Sequence, residues 1–229
     1  MRGELSSSPQ SKRHPLDWYV DEPWCTEQLI RAIGFDREIH ADLAIWDPCC
    51  GYGHIPATFA GWDSRFRVIC SDLVDNLDRS AFEIAPRFFV ADFLEIEAAP
   101  ERCSIVFNPP YSYRKGILEA CVRQAIRLAM GRVVAMVPNK WLASQGRYFL
   151  FAIDHVPAMV VHFCQRPSMP PGDMIKAMGR RAFNGGKIDY CAIVWDVQRP
   201  TRHGKTVTMW LPPLSYVPGA TAPDDGDEF

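Results

Sequence analysis

The 229-residue sequence has no CxxC pair among its eight cysteines, no internal repeat, and no apolar run approaching the ~18 residues that a membrane span needs. The first absence excludes the common cysteine zinc frameworks and a thioredoxin-like redox motif. The cysteines at positions 25, 49, 50, 70, 103, 121, 164 and 191 fall mostly in apolar runs, so they read as free thiols of a reducing compartment. The vicinal Cys49-Cys50 pair reads as small-residue packing. No metal site is expected. A secretory signal pattern is also missing, and the expected location is cytoplasmic. Neither sign of charge dominates: the net charge is −2, and the four acids of residues 224–228 alone turn a body of +2 into that value. A body so near neutral permits nucleic-acid binding without arguing for it.

What is present is an ordinary globular composition, 48% apolar, on a chain long enough for one full core. Residues 1–14, rich in Ser, Pro and basic side chains, read as a flexible leader, and residues 212–229 as a flexible acidic tail. Between them, 15–211 reads as a single domain. Apolar runs predict strands over Leu43–Asp47, Arg67–Asp72, Arg87–Ala91, Ser104–Asn108, Val133–Pro138, Met159–Phe163 and Tyr190–Trp195. Apolar residues spaced at three and four predict a helix over Lys115–Met130, ended by Gly131, with further helices over Trp24–Ile33 and Lys140–Asp154. Continuous apolar strands alternating with helices indicate an α/β fold, a mostly parallel sheet covered on both faces. Such sheets bind ligands beyond the carboxyl ends of their strands. The polar residues that terminate strands are therefore the candidates: Asp47, Asp72, Asp92 and Asn108.

Asp47-Pro48-Cys49-Cys50-Gly51-Tyr52-Gly53 follows a strand and opens a helix. Its glycines allow a sharp turn and close approach to a ligand, and helix N-terminal amides favour an anionic group. Pro56 stands where a dinucleotide fingerprint needs a third glycine, which disfavours a nicotinamide cofactor. Asp72 can accept from both hydroxyls of a ribose. Asp92 can accept from the exocyclic amine of an adenine, with Phe93 packing beside the ring. After the fourth strand comes Asn108-Pro109-Pro110-Tyr111. Its two prolines remove two donors and stiffen the chain, leaving outward acceptors and one aromatic ring. Such a tetrapeptide suits an amino group attached to a planar, conjugated system.

In these residues the chain resembles the class I S-adenosylmethionine-dependent methyltransferases, and within them the amino-group enzymes acting on DNA N6-adenine. The resemblance covers roughly residues 18–198 and implies a Rossmann-like, seven-stranded, mostly parallel sheet with an antiparallel last strand. It implies that Asp47, Pro48, Gly51 and Gly53 hold the methionine part of the cofactor, Asp72 the ribose, and Asp92 and Phe93 the adenine, with Leu73 a further cofactor-binding residue. Asn108, Pro109, Pro110 and Tyr111 correspond to the catalytic motif, with Asn108 also beside the cofactor. The segment Trp18–Trp24 is similar to the family's aromatic-Tyr-x-Thr-Pro-Pro stretch, in the order called gamma. Asp21 and Glu22 replace Thr and Pro there, so Tyr19 and Pro23 are the cofactor residues carried over, and Trp24 with less weight.

The resemblance implies direct transfer. The Asn108 side chain and the Pro109 carbonyl accept both amine hydrogens, localising a nitrogen lone pair otherwise spread into the ring. A base in duplex DNA must be flipped out to reach such a pocket, and Tyr111 would stack on it. Lys140 and Trp141 after the fifth strand are further substrate candidates. So are Arg166, Arg180 and Arg181 in the insertion 164–189, where cations could meet phosphates. RNA adenine and a protein glutamine amide present similar atoms and stay open as alternative substrates.

Overall fold

The computed structural model describes residues 18–111, 113–183 and 185–216. The expected leader, 1–14, and residues 217–229 of the expected tail lie outside them. Residues 212–216 return to the body, where Gln28 Nε2 donates to the Pro212 carbonyl at 2.9 Å and the Leu214 N–H to Gln165 Oε1 at 3.0 Å. Among the described residues no helix is long and apolar enough to cross a membrane.

One mixed sheet holds eight strands: β1 (Ala44–Asp47), β2 (Val68–Asp72), β3 (Arg87–Val90), β4 (Cys103–Phe107), β5 (Arg132–Pro138), β6 (Met159–Phe163), β7 (Tyr190–Asp196) and β8 (Val207–Leu211). Their order is β3-β2-β1-β4-β5-β7-β6-β8. The first five run parallel, and β7 inserts antiparallel between β5 and β6. The seven expected strands are present, but the expected total of seven is corrected to eight. The added strand, β8, pairs parallel with β6 at the sheet edge. It escaped sequence reading because an edge strand buries little: Leu211 is buried while Trp210 is 66% exposed.

Helices α1 (Pro23–Ile33), α2 (Asp36–His40), α3 (His54–Trp62), α4 (Ile117–Leu128) and α5 (Gly172–Met178) complete the fold. The apolar stripe of α1 and α3 supplies Leu29, Ile30, Ile55 and Phe59 to one face of the sheet. The stripe Ile117, Leu118, Cys121, Val122 and Ala125 of α4 covers the other. Between the layers β4 and β5 are buried along their whole length. Each fully buried Val, Ile or Phe there contributes about 1.5–3 kcal/mol. All eight cysteines are free, and Cys50 packs with Cys70, Leu77 and Phe82.

Two helix expectations are corrected. Residues 140–154 form no regular helix. They run through 3₁₀ turns at Asn139–Trp141 and Gln145–Arg147 into a π-helical turn at Leu150–Asp154. The Arg147 side chain satisfies the carbonyls of Trp141 and Ala143, at 2.6 and 3.3 Å, which a continuous helix would have bonded internally. Gly131 is not the helix cap either, since α4 ends at Leu128 with Ala129 as its C-cap. Gly131 is needed for close approach. A Cβ there would lie 2.2 Å from Ser104 Oγ and 2.7 Å from Leu43 Cδ1. Gly131→Ala is expected to cost about 1–3 kcal/mol in a urea titration, as an overpacked core site does.

Ser104 belongs to a buried polar network. Arg132 donates from Nε to Glu38 Oε1 at 2.7 Å and from Nη2 to Glu38 Oε2 and the Gly34 carbonyl at 2.5 and 2.6 Å. Ser104 Oγ donates to Glu38 Oε1 at 3.1 Å and accepts from the Arg132 N–H at 2.8 Å. The Arg132 guanidinium also lies over the Phe35 ring, 4.3 Å from its centroid. This network ties α2 to the start of β5 and leaves the carboxyl edge of the sheet free for other work.

Candidate active site

Parallel pairing brings the strand-terminal residues to one edge. Asp47 is level with Cys70 on β2, and Asp72 with Val90 on β3, so Asp92 lies just past the end of β3. Trp46 is level with Ile105 on β4, which puts Asn108 one step beyond that strand. Neighbouring strands are about 4.8 Å apart, so β3 to β4 spans roughly 14 Å of the edge. Over this edge lies a cleft whose walls include Trp18, Tyr19, Pro48, Asp72, Asp92 and Asn108. Leu73 and Phe93 line it as well.

The Asp72 carboxylate is aimed by backbone donors. Gly51 N–H reaches Oδ2 and Leu73 N–H reaches Oδ1, each at 2.7 Å. Val74 N–H also approaches Oδ1, at 3.5 Å, so Oδ2 is the oxygen that keeps a lone pair for a hydroxyl presented from the cleft. Asp92 Oδ1 accepts from Leu94 N–H at 2.9 Å as the cap of a 3₁₀ turn, leaving Oδ2. Gly51 and Gly53 both have positive φ, 50° and 85°. A Cβ on Gly51 would come 2.8 Å from the Trp18 indole nitrogen, so glycine lets the loop pass beneath that cleft wall.

Asn108 lines this cleft and touches two residues, Tyr111 and Met169, that line a second cavity. Its Nδ2 donates to Asp21 Oδ1 at 2.8 Å and lies 3.6 Å from Met169 Sδ. Its Oδ1 accepts from the Tyr111 hydroxyl, which also reaches the Met136 carbonyl at 3.3 Å. The second cavity is lined by Tyr19, Tyr111, Lys140, Trp141, Met169 and Tyr190, among others. Tyr19 thus borders both spaces.

The insertion 164–189 helps close the site by pairing with the N-terminal segment. Tyr19 bridges Pro171, Val20 N–H donates to the Pro170 carbonyl at 3.0 Å, and Gly172 N–H to the Trp18 carbonyl at 3.1 Å. Ser168 N–H donates to Glu22 Oε2 at 2.6 Å. This strap holds Trp18 and Tyr19 over the loop at Gly51.

No family model matches the chain, and no curated protein matches it by sequence. Solved structures do resemble it. A Pyrococcus horikoshii protein provisionally named an RNA methyltransferase superposes with a TM-score of 0.57 at 16% identity, over 80% of this chain and 87% of that one. The DrdV–DNA complex gives 0.57 at 12% identity, over 86% of this chain but 28% of the other. The fold is that of the class I methyltransferases.

On this methyltransferase fold the sequence candidates divide. Tyr19, Pro48, Asp72, Leu73, Asp92, Phe93, Asn108 and Pro110 line the first cleft. Tyr111, Lys140 and Trp141 line the second cavity. Pro109 is buried between its neighbours. Asp47 is 1% exposed and lines neither space; its Oδ1 braces the turn by accepting from Cys49 N–H at 3.0 Å. Pro23 sits at the start of α1 in a separate depression with Glu27, Arg31 and His54. Trp24 packs edge-on against Phe163. Arg166 pairs with Asp189 at 2.7 Å, and Arg180 and Arg181 are exposed on the 3₁₀ turn Gly179–Phe183; none of the three lines either space. The insertion instead reaches the second cavity through Met169 and Ile188. Sequence reading missed Trp18, Asp21 and Met169. Trp18 and Asp21 flank Tyr19 closely enough to have been found, whereas nothing local marks Met169.

Burial sets the electrostatics. Desolvation pushes the Asp21 carboxyl from 3.8 up to about 7, against the lowering effect of the Asn108 hydrogen bond. Desolvation likewise holds Asp47 well above the usual carboxylate range, with the charges of Asp21 and Asp72 adding to it. An acid whose folded pKa is raised binds its proton more tightly when folded. Its contribution is complete below the unfolded pKa and is lost as pH rises through the folded one. Asp21 is expected to withdraw up to about 4 kcal/mol between pH 4 and pH 7. Urea titrations at stepped pH check this: Asp21→Asn should flatten that part of the curve, and an unchanged slope would remove Asp21 from the account.

Proposed function

We propose that this protein transfers a methyl group from S-adenosylmethionine to the exocyclic N6 amine of adenine in DNA. The observation that carries the reading is the position of Asn108: one amide in the wall of a cleft of acids, hydrogen-bonded to a tyrosine that lines a cavity of aromatic rings, with Tyr19 bordering both. The donor set fits an adenosyl group. Asp72 keeps an acceptor for a ribose hydroxyl, Asp92 one for an adenine amine, and Phe93 an apolar face beside it. When bound, the cofactor supplies an electrophilic methyl on a sulfonium.

The chain's own residues then orient the amine. Asn108 Oδ1 and the Pro109 carbonyl accept its two hydrogens and favour a nitrogen with a localised lone pair. The Tyr111 hydroxyl donates to Asn108 Oδ1, so an amine that binds this oxygen takes the hydroxyl's place. Trp141, Tyr190 and the Tyr111 ring offer flat surfaces to a flipped base, and Lys140 a cation beside them. The nitrogen is cationic after transfer and loses its proton readily, so no strong base is assigned.

DNA is chosen on the motif order and on Asn-Pro-Pro-Tyr itself, because similarities of 16% and 12% identity concern the fold alone. Cofactor binding by calorimetry, followed by transfer of a labelled methyl to DNA, RNA and protein with digestion of the products, tests the reading. N6-methyldeoxyadenosine is the expected label. Label in adenosine or glutamine alone would redirect the substrate, and no label anywhere would end the proposal.

A further inference from the structure

We infer that Asp21 is the positioning residue for Asn108, fixing which end of its amide faces the substrate. The inference rests on the methyl transfer proposed above. Asp21 is 8% exposed, and its backbone is pinned on both sides: Val20 N–H donates to the Pro170 carbonyl at 3.0 Å, and His54 Nδ1 to the Asp21 carbonyl at 2.5 Å. The carboxylate itself is met by a neutral donor, Asn108 Nδ2, at 2.8 Å. A buried charge supported only by neutral donors, this amide and its own backbone N–H, is costly. A threonine or asparagine would satisfy the same amide at lower cost, so packing alone gives no reason for an acid here.

Amide chemistry gives one. An ionised carboxylate only accepts hydrogen bonds, so it admits the NH2 end of Asn108 and repels the oxygen. Oδ1 is thereby turned toward Tyr111, which lines the second cavity. The adjacent negative charge also polarises the amide and makes Oδ1 a stronger acceptor. A protonated Asp21 loses both effects, because its O–H can pair with either end of the amide.

The groups facing Asp21 do not supply a cation. They are Glu22 beside it, Cys25 on α1, Asp47 at the end of β1 and Tyr111 after β4, while the His54 ring meets the backbone carbonyl. Desolvation raises the Asp21 pKa to about 7. Ionisation of Asp21 therefore falls in the working range, and kcat should rise with pH toward a plateau above about 7.

Steady-state kinetics of wild type, Asp21→Asn and Asp21→Ala from pH 5.5 to 9, with cofactor affinity by calorimetry, test the assignment. Below about pH 7 wild-type kcat is expected to fall roughly tenfold per unit. Asp21→Asn, nearly isosteric, should lose that slope and keep an intermediate rate, whereas Asp21→Ala should lose about 30- to 100-fold in kcat at pH 8. KM and cofactor affinity should stay within about threefold. Asp21→Ala within twofold of wild type, or a wild-type slope in Asp21→Asn, would overturn the assignment. Should the wild type label no substrate, the proposed function fails, and the side-chain amide resonances of Asn108 still decide the contact. They should titrate near pH 7 in wild type and not in Asp21→Asn; no titration in wild type would also overturn it.

Discussion

Asn108→Ala is expected to lower methyl transfer by on the order of 10²–10³-fold or more, the cost of removing one preorganised polar group from a reacting centre. Two acceptors would hold the amine, and the variant removes the one to which the Tyr111 hydroxyl donates. Cofactor affinity should change little, because Asp72 and Asp92 are aimed by backbone donors that the substitution leaves in place. The loss should therefore appear in kcat at saturating cofactor, read as labelled N6-methyldeoxyadenosine after digestion. The variant also strips Asp21 of its side-chain hydrogen-bond donor, and losing a partner of a buried carboxyl costs about 1–3 kcal/mol. A melting curve at the assay pH separates that effect from catalysis. Turnover near the wild-type rate in a folded Asn108→Ala protein would refute the role.

Glu38→Ala is expected to be the most damaging change outside the site, about 3–5 kcal/mol in a urea titration. Glu38 is completely buried, and its loss strands the Arg132 guanidinium with the Gly34 carbonyl and the Phe35 ring as its remaining company. The loss also takes the acceptor of Ser104 Oγ. Against a total stability of about 5–15 kcal/mol this is a large share. Glu38→Leu combined with Arg132→Met should recover much of it, since a well-packed apolar pair avoids the desolvation of two charges. A single Glu38→Ala variant as stable as wild type would show that the pair contributes nothing.

The two networks explain why the site and the fold were not equally legible. The parallel strands were readable because β1, β4 and β5 are buried on both faces, so a continuous apolar run is enough to reveal them. The acids at their ends were readable because parallel strands deliver their carboxyl termini to one edge. The span 140–154 was misread as helical because its internal carbonyl partner is the Arg147 side chain, which no apolar periodicity reports. Strand β8 was missed because an exposed edge strand has too little burial to leave a clear pattern.

The sequence by itself determined an α/β sheet, the order of strand-terminal acids, and the Asn-Pro-Pro-Tyr turn at the end of β4, all of which depend on spacing within a few residues. Tertiary structure decided what each polar group meets. It set Asp21 against Asn108 across 87 residues, brought Met169 from the insertion to the same amide across 61, and left Arg166, Arg180 and Arg181 outside both cavities. The physical reason is that periodicity reports burial along one element, whereas a hydrogen bond between distant segments depends on how the strap at 168–172 docks onto residues 18–22.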